Sequence, residues 1–259
     1  HYNDVHPPSL RTHLIASLPK ISGLFSFIPG IFNFFAANKL TALIIKKVTG
    51  FAVERSIPLL APMTFRRWLK RNLPLLNPAA PAGDVCLFVD EFTNHNDRDA
   101  GIATARLLTG LGYRIHIAGN VASARTYISK GFLRKAKKLI TKNIQVLGPL
   151  VSDSCPLVGI EPSAILGFRD EFPDLAGDRL RPEASRLAQN AFTLEEFIAS
   201  EFKAGRIRRD MFTGEPAEVL VHVHCHEKAI TTSAPVLAAL GIPANYRVRE
   251  IPSGCCGMA

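Results

Sequence analysis

The chain has 259 residues, 47% of them apolar and 20% charged, which supports a sizeable core in one large or two ordinary domains and excludes wholesale disorder. Five cysteines are too few for a disulfide scaffold; two of them are adjacent, which points to metal or redox chemistry in a reducing compartment. Thirty-one Lys and Arg against 22 Asp and Glu leave a net charge of +9, a balance that fits an anionic membrane surface, an acidic partner or nucleic acid without choosing among them.

The first residue is His1, no secretory signal pattern follows, and the chain stops directly after a Cys-Cys-Gly motif. These ends suggest a piece of a longer protein. Residues 1–80 carry prolines at 7, 8, 19, 29, 58, 62, 74 and 78, which divide them into short, very apolar helical pieces. Residues 21–37 approach a membrane span, but Gly23, Pro29, Gly30 and Asn33 interrupt them, and a span needs ~20 mostly apolar residues. A helical arm packed on another domain is the simplest reading. An interfacial membrane contact is the sharper one, supported by Arg66-Arg67-Trp68-Leu69-Lys70-Arg71. Exposed apolar surface on this arm is also expected to pair with a second copy, with Phe25, Phe27, Phe32, Phe34 and Phe35 as the natural anchors.

From about Pro81 strands and helices alternate. Val85–Val89 reads as a buried strand ending at Asp90, residues 99–112 as a helix, and Tyr113–Ile117 as the next strand. Residues 129–147 read as one basic amphipathic helix. Residues 157–160 form a third strand, with a short helix near 163–170. Residues 183–204 read as one helical stretch, with a capping signal at Thr193-Leu194-Glu195-Glu196. Val219–Val223 is a strand, 232–240 a helix and Tyr246–Ile251 a strand. This rhythm predicts an α/β fold with a parallel sheet, whose ligands sit at the carboxyl ends of the strands. Cys225, Cys255 and Cys256 all follow predicted strands. No Gly-x-Gly-x-x-Gly follows the first strand and no phosphate-loop pattern occurs, so a nucleotide site is not expected.

The strongest chemical signal is His222-Val223-His224-Cys225-His226-Glu227-Lys228, followed by Ser253-Gly254-Cys255-Cys256-Gly257. Thiolates are soft ligands for iron–sulfur clusters or zinc. Vicinal cysteines close a disulfide with each other only under strain, yet both can face one cluster, and Gly254 and Gly257 let the backbone approach it. Burial as small hydrophobes is the plainer alternative. On an extended strand His222, His224 and His226 would share one face, which could serve zinc or a cluster's surroundings.

The pattern His-x-His-Cys-His-x-Lys-Ala followed by Ser-Gly-Cys-Cys-Gly-Met-Ala resembles the cysteine-rich CCG domain. That domain occurs in heterodisulfide reductases, in the iron–sulfur component of glycolate oxidases, and at the C-terminus of FAD-linked dehydrogenases for D-lactate and related 2-hydroxy acids. The last group fits best, through Phe88–Asn94, Ile128-Ser129-Lys130-Gly131, Gly159–Ser163 and Phe168–Leu175, and through Arg66-Arg67-Trp68 in the preceding linker. The likeness covers most of residues 50–259.

The resemblance implies two repeats, each offering a cysteine, a Cys-Cys-Gly and a later cysteine to a [4Fe–4S]-type cluster. It implies a helical arm at 1–80, a first repeat at 81–215 and the start of a second at 216–259. The first repeat departs from the pattern: Asp90-Glu91, Ala122-Ser123-Ala124-Arg125 and Ala164 stand where cysteine ligands would be. It is expected to have lost its cluster and kept its fold. In the second, Cys225, Cys255 and Cys256 are the implied metal ligands, Gly254 and Gly257 admit the cofactor, and His224 and His226 tune it by hydrogen bonds. The last cysteine of that repeat would fall beyond residue 259. Cys86 and Cys155 match no ligand position and are expected in the core.

The implied function is the iron–sulfur electron-transfer portion of an FAD-linked 2-hydroxy-acid dehydrogenase, its FAD carried on an upstream domain. The alternative is a non-redox docking module with a degenerate site, using the arm and the basic run 134–138. Expected partners are upstream flavin and ferredoxin-like domains, a membrane surface or quinone, and a second copy through the arm. Nucleic acid is not expected, since no aromatic-studded basic groove accompanies the charge. The expected location is the cytoplasm, peripheral to the inner membrane face.

Overall fold

The computed structural model describes residues 5–119 and 121–254. The arm consists of α1 (Leu10–Ala16), α2 (Leu18–Phe25), α3 (Pro29–Ala37), α4 (Lys39–Thr49) and α5 (Phe65–Leu76). Prolines 19 and 29 sit in the first turns of α2 and α3, where their missing N–H costs no helical bond. The Asn38 side chain caps α4, and Gly50 closes it in the left-handed region at φ 74°. The axes of α2 and α3 differ by 117°. Asn33 ties α3 to the loop before α5 by exchanging two 2.8 Å hydrogen bonds with the Leu60 backbone. Among the described residues no single helix is long and apolar enough to cross a membrane. Helices α1–α4 bury only Ala16, Ser22, Ala36, Ala42 and Lys46. Phe27, Phe34 and Phe35 are 85%, 65% and 46% exposed, whereas the Phe25 and Phe32 rings pack together tilted, with centroids 5.3 Å apart.

The remaining elements are β1 (Gly83–Phe88), α6 (Glu91–His95), α7 (Arg98–Gly110), β2 (Tyr113–Ile117), α8 (Arg125–Ser129), α9 (Leu133–Leu147), β3 (Leu157–Gly159), α10 (Pro162–Ile165), α11 (Glu171–Leu175), α12 (Arg181–Gln189), β4 (Ala191–Thr193), α13 (Leu194–Lys203), β5 (Ala217–Val221), α14 (Cys225–Ile230), α15 (Ala234–Leu240) and β6 (Tyr246–Glu250). Strands β1–β4 form one parallel sheet in the order β2-β1-β3-β4. Strands β5 and β6 form a separate parallel pair.

Both faces of the four-stranded sheet are covered, and the residue alternation of β1 shows how. Val85, Leu87 and Val89 enter one apolar cluster with Phe65 and Leu69 of α5, Leu108 of α7 and Phe197 of α13. Cys86 and Phe88 enter the other, with Ile140 and Ile144 of α9, Leu187 of α12, and Phe168 in the turn before α11. The predicted core role of Cys86 is therefore met: it is fully buried, and burial pushes its thiol pKa up to about 12. From β1 the chain steps outward to β2 and later to β3 on the opposite side. The crevice between the ends of β1 and β3 is thus the topological switch point.

Three sequence expectations are corrected. Residues 183–204 are not one helix. After α12 the chain extends for Ala191-Phe192-Thr193, pairs with β3, and turns into α13 through the predicted Thr193–Glu196 capping box. Three residues are too few to display a strand's alternation, so helical neighbours mask them. The helix expected over 129–147 is two helices, because Gly131 takes φ 73° and breaks the path before α9. The strand expected at 219–223 lies at 217–221, so the histidine segment begins beyond it.

Candidate functional site

Asp90, just past β1, caps α6 with Oδ1, accepting from the N–H groups of Phe92 and Thr93 at 2.8 and 2.9 Å, and Oδ2 accepts from the Thr93 hydroxyl at 2.6 Å. Burial raises its pKa to about 7. Glu91 is the first helical residue behind this cap. Its Oε2 accepts from the Ser123 N–H at 2.8 Å, and its Oε1 from the Ser123 hydroxyl at 2.9 Å. Burial raises the Glu91 pKa as well. Ala164 is packed in the core at 1% exposure. Ala122 is half-buried, and its carbonyl accepts from Asn143. This set of a spent carboxylate, a hydroxyl and two methyl groups does not fit a thiolate-held cluster.

Ala124 is the position that the resemblance aligns with the glycine of Cys-Cys-Gly. It adopts φ +66°, and it is the non-glycine residue with positive φ among the described residues. An L-residue pays roughly 1–2 kcal/mol for this conformation. The backbone thus holds, at an alanine, a geometry that favours glycine.

In the second motif the predicted sharing of one strand face by the three histidines does not occur. The chain leaves β5 at Val221; His222 and His224 lie in the turn, and His226 is helical. His224 caps α14, its Nδ1 accepting from the His226 N–H at 3.2 Å. Burial, first among several causes, lowers the His224 pKa. Cys225 is the first helical residue behind that cap. His222 Nε2 lies 3.5 Å from the Gly254 carbonyl, and Lys228 donates to the Ser253 carbonyl at 3.1 Å while pairing with Glu250 at 2.9 Å. The segment leading to Cys255 is thereby tied alongside the turn that carries Cys225. Cys255, Cys256 and Gly257 lie outside the described residues.

The two strand–turn–helix units correspond closely. Glu91 and Cys225 each open a helix behind a side-chain cap, Asp90 and His224 respectively. Glu91 follows the end of β1 by three positions, and Cys225 follows the end of β5 by four. Ala122 follows Ile117 of β2 by five positions, and Cys255 follows Glu250 of β6 by five.

Helix α14 packs on α10 and on the turn at Leu166–Phe168, over the switch point of the larger sheet. There His226 donates to Asp170 at 3.4 Å, Arg125 pairs with Glu171, and Thr193 donates to the buried Glu227 at 3.2 Å. Burial and the nearby Glu195 raise the Glu227 pKa to about 7. Asp170, Glu171 and His226 offer ligand atoms within 4.8 Å of one another, but the Arg125 guanidinium already neutralises Glu171 and repels a cation. Sequence reasoning missed this polar seam. Asp170 and Glu171 lie inside a block noted only for its resemblance, and nothing in their spacing announces His226 as a partner.

The chain is 26% identical to the D-2-hydroxyglutarate dehydrogenase of Escherichia coli (strain K12), over 96% of its own length and 24% of that protein. It is 24% identical to the enzyme of the same name from Pseudomonas putida, over 100% of its length and 25% of that protein. The Pantoea ananatis enzyme matches similarly, at 24% identity over 96% and 24%. The chain thus spans about a quarter of the length of the curated relatives it matches. No protein-family model and no solved structure matches it significantly. The relatives are oxidoreductases by name and agree with the FAD-linked 2-hydroxy-acid dehydrogenase resemblance.

Proposed function

We propose that the chain is the iron–sulfur electron-transfer portion of an FAD-linked 2-hydroxy-acid dehydrogenase. The observation that supports it most is the contact of Glu91 with Ser123, which brings together two positions whose counterparts in the second unit are Cys225 and Cys256. Where the first unit holds a carboxylate on a serine, the second has thiols, the donor type that suits iron and sulfide. Cys225, Cys255 and Cys256 would hold the cluster, which supplies one-electron transfer when bound. His224 turns its Nδ1 to the backbone, so its neutral ring carries the proton on Nε2 and is a hydrogen-bond donor. Lys228 and Glu250 clamp the approach to Cys255. FAD and the 2-hydroxy-acid site belong to the three quarters of the relatives' length that this chain does not span, and the acceptor is a quinone or another protein at the cytoplasmic membrane face.

The test is anaerobic reconstitution of the chain with iron and sulfide, read by the visible charge-transfer band and by electron paramagnetic resonance. A weakly held, oxygen-labile cluster is expected, because the last cysteine of the repeat is not among these residues. Cys225→Ser should abolish it, and Ser123→Ala should leave it unchanged. A signal indifferent to Cys225→Ser overturns the reading.

The exposed Phe27, Phe34 and Phe35 favour a second reading, a docking module without redox chemistry. A chain that takes up no iron yet binds its flavin-domain partner would establish it.

A further inference from the structure

Between the arm and the carboxyl ends of β1 and β2 lies a cavity of about 690 Å³, a size typical of small-molecule sites. Five cations line it: Lys20 from α2, Arg66, Arg67 and Lys70 from α5, and Lys142 from α9. They arrive from three separate helices, so this is a tertiary convergence and not the solvated face of one helix. Among the described residues none of the five forms an ion pair. Among the described residues the one carboxylate in the lining is Glu91, and Ser123 occupies both of its oxygens.

Among the described residues two buried donors beside the cavity also lack acceptors. Arg66 gives Nη1 to the Ala118 carbonyl at 2.5 Å, but its Nε has no partner. Asn94 accepts from the Arg66 N–H through Oδ1, so its Nδ2 donates to His95 Nε2. The neutral His95 ring then carries its proton on Nδ1, which is buried without an acceptor. Like charges held together in a concave site repel one another and concentrate anions from solution. Guanidinium forks match planar carboxylates, and no glycine-rich phosphate loop is present. Phe27, Met63, Val121 and Tyr127 add apolar wall for a carbon skeleton.

We propose that this cavity binds an organic di- or tricarboxylate, held by Arg66, Arg67 and Lys70 with Lys20 and Lys142 closing the charge around it. The site is independent of Cys225 and of the iron–sulfur reading.

The test is isothermal titration calorimetry of the 259-residue chain at low ionic strength. The probes are glutarate, citrate, acetate, neutral glutaramide and inorganic phosphate. Saturable binding of glutarate or citrate is expected, at least about tenfold tighter than acetate and weakening with added salt. Arg67→Gln and Lys70→Gln, both at exposed positions, should each weaken it about tenfold with an unchanged melting temperature. Arg66→Gln should weaken it further. The proposal is overturned if glutarate and citrate bind no better than acetate or glutaramide, if phosphate alone binds, or if Arg67→Gln and Lys70→Gln leave the affinity unchanged.

Discussion

The Glu91 carboxylate grips Ser123 twice, at the backbone N–H and at the hydroxyl, and so joins the end of β1 to the loop after β2. Both residues are buried, so the contact replaces solvation that folding removes. Glu91→Ala strands the Ser123 N–H without an acceptor and should destabilise the chain by about 2–4 kcal/mol. Ser123→Ala keeps one of the two bonds and should cost about 1 kcal/mol. Urea denaturation of both single variants and the double variant checks this; additive effects would mean that the two residues do not act as a pair.

Asp90 carries a pH dependence. Its folded pKa is about 7 against an ordinary 3.8. Between those values the folded state holds a proton that the unfolded state releases, so stability falls as pH rises. The stabilisation is complete below about 3.8 and is lost through about 7, on the order of 4 kcal/mol for this one group. Glu227, also raised to about 7, adds in the same direction. Melting temperature should decline from about pH 4 to about pH 7 and level off above that. Asp90→Asn, which preserves the cap, should flatten that decline. A profile as steep in the variant as in the parent would refute the assignment.

Ala124 tests how much strain a non-glycine residue at φ +66° carries. Its methyl group is buried, so Ala124→Gly trades strain relief against lost packing and added chain entropy, and stability should change by less than about 1 kcal/mol. Ala124→Val adds a β-branched side chain at φ +66° in a packed site and should cost about 2 kcal/mol or more. Thermal unfolding of the two variants distinguishes these outcomes.

The arm should drive self-association of the isolated chain. Phe34 and Phe35 form an edge-to-face pair at 5.4 Å on an exposed surface, close to Phe27 in sequence. Light scattering should show a concentration-dependent dimer that Phe34→Asp and Phe35→Asp together convert to monomer. A monomeric parent would remove these rings as anchors.

Sequence by itself determined the α/β alternation, the doubly covered β1 and the capping box at Thr193. Each of these is a local pattern: β1 reads as a continuous apolar run because both of its faces are buried, and a cap needs only residues a single helical turn apart. Tertiary structure alone decided what long-range partners control. Strand β4 exists because β3 supplies its ladder, not because Ala191-Phe192-Thr193 prefers extension. The histidines left their expected common face because the chain turns after Val221. Glu91 meets Ser123 across 32 positions, and Lys20, Arg66 and Lys142 converge from three helices. Hydrogen bonds and charge pairs carry no period, so nothing in the linear pattern could place them before the chain was folded.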